Sequence, residues 1–232
     1  MMMKQTIGIL IFFLTSLSLY GQTELDSIVL LNGRVYRGTI TGTSDNGLTY
    51  KEIDRKGNEF TGVMEYYRVF SYTQNGMEKV VYEQDEYKDN FLTVEEARNA
   101  TLGSYDARQT FKPRFVFWSS FVIGYGTSLY DTYLLQKTIN HPDYIGDQTV
   151  KGFFKSDPTF MPILAPLVLS VGWSFPSFKI KEKQMIQLHL LNDDSYYRGY
   201  HRIAKQKRIL GALRGSLLGI GAGIVTYAVF KQ

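Results

Sequence analysis

The spacing of apolar positions divides the chain into three stretches. Residues 1–21 (MMMKQTIGILIFFLTSLSLYG) carry one charge, Lys4, ahead of an apolar run from Ile7 to Leu14. From about 26 to 84, apolar and polar residues alternate in short bursts, the period of half-buried strands. Tyr36, Gly38 and Ile40 fall on one face, with Arg37, Thr39 and Thr41 on the other. Leu48 and Tyr50 alternate in the same way with Thr49 and Lys51. Beyond residue 92 the apolar runs lengthen and the strand period gives way to helical segments.

Each stretch predicts an element. The positive start, apolar core and small residue at Gly21 predict a secretory signal over 1–21, cleaved before Gln22, with an uncleaved anchor as the alternative. A small β module is expected over 22–88. Its strands are predicted at Ile28–Leu31, Arg34–Gly42, Leu48–Ile53, Glu59–Met64, Val69–Thr73 and Met77–Tyr82. Asn32-Gly33, Asn46-Gly47 and Asn75-Gly76 read as type I′ hairpin turns, and Asp54–Gly57 reads as a fourth turn. Gly38 inside a long strand allows the bend that closes a small barrel. The module is therefore expected to be an SH3-like or Sm-like barrel, or a curled antiparallel meander.

Thr93-Val94-Glu95-Glu96 is a capping box and predicts a helical arm over 89–112, broken at Pro113. An apolar, aromatic segment at 113–135 is a candidate membrane span, and 136–157 is polar and reads as a loop. Residues 158–176 are uncharged but interrupted by Pro158, Pro162, Pro166 and Pro176, so they predict a kinked span or a re-entrant segment. Asp193-Asp194-Ser195 caps a last helix. Its first part completes a basic arm over 177–208, carrying Arg198, Arg202, Lys205, Lys207 and Arg208. Its second part is an apolar span over 209–230. The basic residues are candidates for lipid contact and orientation. Gly211, Gly215, Gly219 and Gly223 recur every fourth residue and predict a packing groove. Its partner is either the first span, at Gly124 and Gly126, or a second copy of the chain. A shift of 97 residues superposes Ala107-Arg108-Gln109 on Ala204-Lys205-Gln206, and Gly124 and Gly126 on Gly221 and Gly223. This reads as a duplicated arm-and-span unit.

With the signal, the I-x-L-x-N-G start of the β module (Ile28–Gly33), and the helices at Gly103–Arg108 and Tyr196–Arg208, the chain resembles a group of uncharacterised exported bacterial envelope proteins. The resemblance implies a membrane location and no particular activity.

Charge then bears on topology. If all three apolar segments cross, Arg98, Arg108, Lys112 and Arg114 share the outside with the eight basic residues of 177–208, leaving only Lys137, Lys151, Lys155 and Lys231 inside. That opposes the positive-inside rule. Two spans, with 136–208 cytoplasmic and the C-terminus outside, satisfy it and are the expected arrangement; the alternative is a location where the rule lacks force, such as an outer membrane.

Composition removes several chemistries. The 232 residues include no cysteine and three histidines, which excludes disulfides, thiol catalysis and Cys-ligated metals. Lys and Arg exceed Asp and Glu by 26 to 22, too little to point to nucleic acid. His141 beside Asp143 reads as an ordinary loop histidine, His189 as solvent-facing, and His201 as neutral beside Arg202. No nucleotide, zinc or serine-hydrolase motif is present, and Gly219–Gly223 lies in a helix without a preceding strand. No catalytic, metal or cofactor residues are therefore assigned. The fold class expected is a membrane-anchored α+β protein: the small β module, helical arms and two to three apolar membrane segments. The expected function is that of a non-enzymatic cell-envelope membrane protein whose extracytoplasmic β module docks a partner. Its partners would be membrane lipids and an envelope protein or a second copy of the chain, with no cofactor. The alternative is a small oligomeric channel or transporter-like assembly.

Overall fold

The structure is a computed structural model. It describes residues 26–53, 57–139, 161–176, 180 and 182–230. The signal segment, His141 and most of the expected 136–157 loop lie outside those residues. The chain divides into two compact units: Val35–Tyr82 with the first strand, and Glu83 onward together with the turn at Leu30–Arg34.

The first unit is a six-stranded antiparallel sheet. Its strands are β1 (Asp26–Leu30), β2 (Val35–Ser44), β3 (Gly47–Ile53), β4 (Glu59–Glu65), β5 (Val69–Gln74) and β6 (Met77–Val80). Their order is β4-β3-β2-β1-β5-β6. The sheet is open, with β4 and β6 at its edges, so the expected barrel does not close. β1 to β4 form a meander, and β5 returns to pair with β1 instead of β4. The register of β2 on β3 shifts between Ile40 and Gly42, a bulge that bends the sheet. Alternation then works as the sequence pattern requires: Ile28, Leu30, Ile40, Leu48, Tyr50 and Met64 are buried.

Only one of the three Asn-Gly pairs forms a type I′ turn. Asn75 and Gly76 both have positive φ, 51° and 78°. At Asn32-Gly33 a three-residue loop forms instead. Leu30 N–H donates to Arg34 O, Arg34 N–H donates to the Asn32 side chain, and Gly33 alone takes a positive φ of 74°. The Asn32 carboxamide stabilises a tighter first half of the turn and leaves the left-handed position to glycine. At Asn46-Gly47 the strand starts at Gly47, paired with Ser44, and the turn moves one residue back to Asp45-Asn46.

The second unit is helical: α1 (Val94–Thr110), α2 (Arg114–Ile139), α3 (Met161–Gly172) and α4 (Asp194–Phe230). The capping box forms in full. Glu96 N–H donates to Thr93 Oγ1, and Thr93 N–H donates to Glu96 Oε2 at 2.8 Å. Pro113 ends α1 and α2 begins at the next residue, continuing through the first four positions of the expected loop. Asp193 caps α4 by accepting from Tyr196 N–H at 2.7 Å. The stretch around His189 is a single 3-10 turn, and His189 is exposed, as expected.

Among the described residues, α4 alone is long and apolar enough to cross a membrane. α2 has the length, but its serines, glycines and tyrosines keep its hydropathy lower. α3 has 12 residues, about 18 Å at ~1.5 Å per residue, short of a bilayer core.

Packing fixes the helix directions. Gly199 of α4 lies on Ala100 of α1, Gly211 on Pro113, Gly215 on Phe117, Gly219 on Phe121, and Gly223 on Tyr125 and Ser128. Residue numbers rise together, so α1 and α2 run parallel to α4. α3 packs on both, with its C-terminal end at the start of α2: Trp173 stacks edge-on against Phe115, and Arg208 donates to Pro176 O at 2.6 Å. The chain thus runs up through α2, back through α3 and up again through α4. The expected two-span arrangement, with α2 and α4 crossing in opposite directions, is incompatible with this parallel seam.

Candidate functional site

The seam between α2 and α4 is built from small residues. A Cβ added at Gly215, Gly219 or Gly124 would fall on the backbone of Phe117, Phe121 or Ser216, and one at Gly223 would stand 2.9 Å from Ser128 Cβ. Gly211 is looser, 3.2 Å from Pro113 Cγ, and Gly126 faces open space. Ser120, Ser128, Ala212 and Ser216 fill the remaining positions and are buried. Ser216 returns its hydroxyl to Ala212 O at 2.9 Å, which removes a donor from the apolar interior.

Two reciprocal pairs tie the parallel helices together. Gly103 approaches Tyr196 while Gly199 approaches Ala100; Gly124 approaches Ser216 while Gly219 approaches Phe121. In each case a glycine meets the residue three before the partner glycine. The spatial offsets are 96 and 95 residues, not 97. The 97-residue alignment matches an open glycine with a packed one each time: Gly126 and Gly221 meet nothing within 4 Å. α4 is continuous where Phe111–Pro113 interrupt the first pair of helices, so the register slips at that break.

Large apolar side chains point away from the seam. On α2 Phe115, Trp118, Val122 and Ile123 are exposed, on α3 Ile163, Leu167, Val168 and Val171, and on α4 Leu217, Leu218, Ile224, Val225, Val229 and Phe230. Only 28% of the most apolar stretch of α4 is buried. Small residues inside and large apolar ones outside invert the arrangement of a water-soluble bundle.

The arm end is packed conventionally. Tyr196, Tyr200, Ile203, Ala204 and Ala107 form its core with Ile180 and Met185. Asp106, fully buried on α1, is its polar centre. Its Oδ2 accepts from Tyr196 Oη at 2.7 Å, Ile186 N–H at 2.8 Å and Gln187 N–H at 3.1 Å. Thr110 Oγ1 contacts Gln184 O and Tyr200 Oη. These bonds pin the segment before α4 against α1. Burial, then the bond to Asp106, pushes the Tyr196 phenol far above its ordinary value; burial raises Tyr200, against the lowering effect of its Thr110 bond. Burial first, then Arg208, lowers His201. Arg202, expected to play that part, instead donates to Leu31 O and Ser104 Oγ.

The other basic arm residues divide by role. Lys207 donates to the carbonyls of Ala107, Arg108 and Phe111 at 3.0, 2.6 and 3.0 Å, closing the orphaned C-terminal end of α1. Burial lowers its pKa, with Arg108 and Lys112 adding to the effect. Arg208 is buried against Pro176 O and the face of Trp173. Arg198 and Lys205 are exposed.

At the junction of arm and bundle, a groove of about 480 Å³ opens beside the kink at Pro113. Phe117, Trp118, Leu210 and Gly211 form its apolar wall, and Lys112, Arg114, Lys207 and Arg214 bring positive charge. Lys112, Arg114, Trp118 and Arg214 are exposed. The sequence pattern Lys-Pro-Arg followed by Trp, at the head of an apolar segment, carries the signal for this groove, because basic and tryptophan side chains gather at membrane interfaces. The groove can bind an anion with an apolar tail. Among the described residues, no three His, Asp or Glu side chains group as metal ligands.

Comparison with family models, with curated proteins and with solved structures found no match for this chain.

Proposed function

We propose that the chain is a non-enzymatic integral membrane protein of the cell envelope, anchored by its helical bundle, with the β unit extracytoplasmic and docking a partner. The observation that carries this reading is the inverted packing of α2, α3 and α4. Glycine and serine in the seam permit close backbone approach, the source of helix association where lipid offers no hydrophobic drive. An exposed apolar belt of this extent in water would be an aggregation surface. In this reading α2 and α4 cross in the same direction and the segment containing α3 returns between them. The leader-like start sets the orientation, since the first apolar segment usually dominates later charge bias.

Docking is supported by the edge strand β4. Tyr66 N–H bonds inward to Asn46 O, and the unbroken β3–β4 register then turns the N–H groups of Thr61, Val63 and Glu65 outward. Phe60 and Val63 are exposed on the same edge. Such an edge receives an extended peptide as an added strand. The tight α2–α4 seam favours anchoring over conduction through a single chain.

Two measurements test the reading. The full chain should stay in the membrane pellet after alkaline carbonate washing; release into the supernatant would refute the anchor. A photoreactive residue replacing Val63 should cross-link one envelope protein in intact cells. Cross-links only to lipid, or none, would refute docking at this edge.

A further inference from the structure

We propose that the groove at the head of α2 holds one anionic phospholipid, its phosphate among Lys112, Arg114 and Arg214 and its acyl chain along Phe117, Trp118 and Leu210. This deepens the membrane reading and rests on it. Four of the ten residues lining the groove are cationic and none is acidic. Lys207 is committed to three carbonyls of the α1 end, while the side chains of Lys112, Arg114 and Arg214 are exposed at the rim. The first turn of α2 starts at Arg114, so its helix dipole adds to the same positive potential. Guanidinium and ammonium groups converging on one place suit a phosphate oxygen cluster.

The wall argues for a lipid over a free anion. Pro113, Phe117, Trp118, Leu210 and Gly211 give an apolar slot that a water-soluble phosphate would leave exposed. Gly211 lets Pro113 sit against α4 at the back of the slot: a Cβ there would stand 3.2 Å from Pro113 Cγ and 3.6 Å from its Cβ. The slot runs on into the exposed apolar belt through Trp118, 60% exposed, and Leu210, 48% exposed. Along α2 the charged Lys112 and Arg114 lie on the arm side and the apolar Phe117 and Trp118 on the bundle side, the polarity of a phospholipid, while on α4 Leu210 precedes Arg214 by one turn. Neutral phosphatidylcholine fits worse, because its own choline cation meets three exposed cations in a lining that holds no acidic residue.

The chain has two tryptophans. In a Trp173→Phe background, Trp118 becomes the only tryptophan and a direct probe of the groove. The full chain is reconstituted in phosphatidylcholine vesicles containing a minor fraction of either brominated phosphatidylglycerol or brominated phosphatidylcholine. The expected result is preferential quenching of Trp118 by the anionic lipid, with a relative association constant of at least about fivefold, the factor one surface cation contributes. Combined Lys112→Gln, Arg114→Gln and Arg214→Gln should bring that ratio to about one; Arg214→Gln alone should give an intermediate ratio, and Lys205→Gln should leave it unchanged. Equal quenching by both lipids overturns the anionic site while leaving the bundle in the membrane. No quenching by either lipid overturns the membrane reading as well. Selectivity that survives the triple substitution overturns the placement of the site, and displacement of brominated lipid by millimolar inorganic phosphate overturns the lipid assignment.

Discussion

Gly219→Ala is the smallest change that probes the parallel seam. The added methyl would lie against Phe121 O, 2.8 Å from Tyr125 N and 3.0 Å from Phe121 C. All three are backbone atoms of α2, so no side chain can rotate away. Relief requires α2 and α4 to separate, which also loosens Gly215 against Phe117 and Gly223 against Ser128. Overpacking of this kind costs about 1–3 kcal/mol. Alanine returns up to about 1 kcal/mol of helix propensity, leaving a net loss of up to about 2 kcal/mol once that gain is counted in full. Gly126→Ala and Gly221→Ala are matched controls, because a Cβ there meets nothing within 4 Å. They keep the propensity gain without the clash and should be neutral or slightly stabilising. The assay is thermal unfolding of the purified full chain in one detergent, followed by helical circular dichroism. Gly219→Ala should lower the midpoint while the two controls hold or raise it. A midpoint for Gly219→Ala equal to that of Gly126→Ala would refute the seam.

Other substitutions separate structural from exposed groups. Asp106→Ala leaves Tyr196 Oη and the Ile186 and Gln187 N–H groups without their acceptor and should cost about 3 kcal/mol, read by denaturant unfolding. Lys207→Met removes the donor that Arg108 O and Phe111 O share with Ala107 O, which keeps the Phe111 N–H, and should cost about 1–3 kcal/mol, whereas Lys205→Gln should stay within about 0.5 kcal/mol. Tyr196 and Tyr200 have raised pKa values when folded, so they contribute stability below the ordinary tyrosine value near 10, and that stability is lost as pH rises above it. Ultraviolet titration should show the Tyr196 phenolate appearing only with unfolding, and Tyr196→Phe with Tyr200→Phe should flatten the alkaline loss; an ordinary titration of Tyr196 in the folded chain would contradict this.

Local rules made much of the fold legible before any coordinates. All six strands lie within a few residues of the alternating segments, and the Thr93–Glu96 box and the Pro113 break stand where their chemistry puts them. Turn geometry was less legible, because Asn32 and Asn46 hold alternatives to the type I′ turn that depend on neighbouring bonds. Barrel closure failed because the edge strands β4 and β6 do not pair, a long-range choice that alternation does not encode. Helix direction was hidden for the same reason: the positive-inside count compares sides, while the direction of α4 follows from how residues 184–193 descend along α1, from Thr110 past Asp106 to Asn99. Lys207 and Arg208 looked like membrane-surface charges because a sequence shows charge without showing which carbonyls lie within reach. Asp106 gave no signal beyond its place in Tyr-Asp-Ala-Arg, and its role appears only with Tyr196, 90 residues away.

The central claim is that α2 and α4 cross a membrane in the same direction, which places both ends of the arm on one side. The chain has no cysteine, so single cysteines report without background. Glu83→Cys and Glu182→Cys stand at exposed positions on either side of the α1–α3 sequence, and Lys231→Cys follows α4. On intact cells, a maleimide that does not cross lipid should label positions 83 and 182 alike and reach position 231 only after permeabilisation. Labelling of 83 and 231 without 182 is the pattern of two opposed crossings, and it would contradict the account.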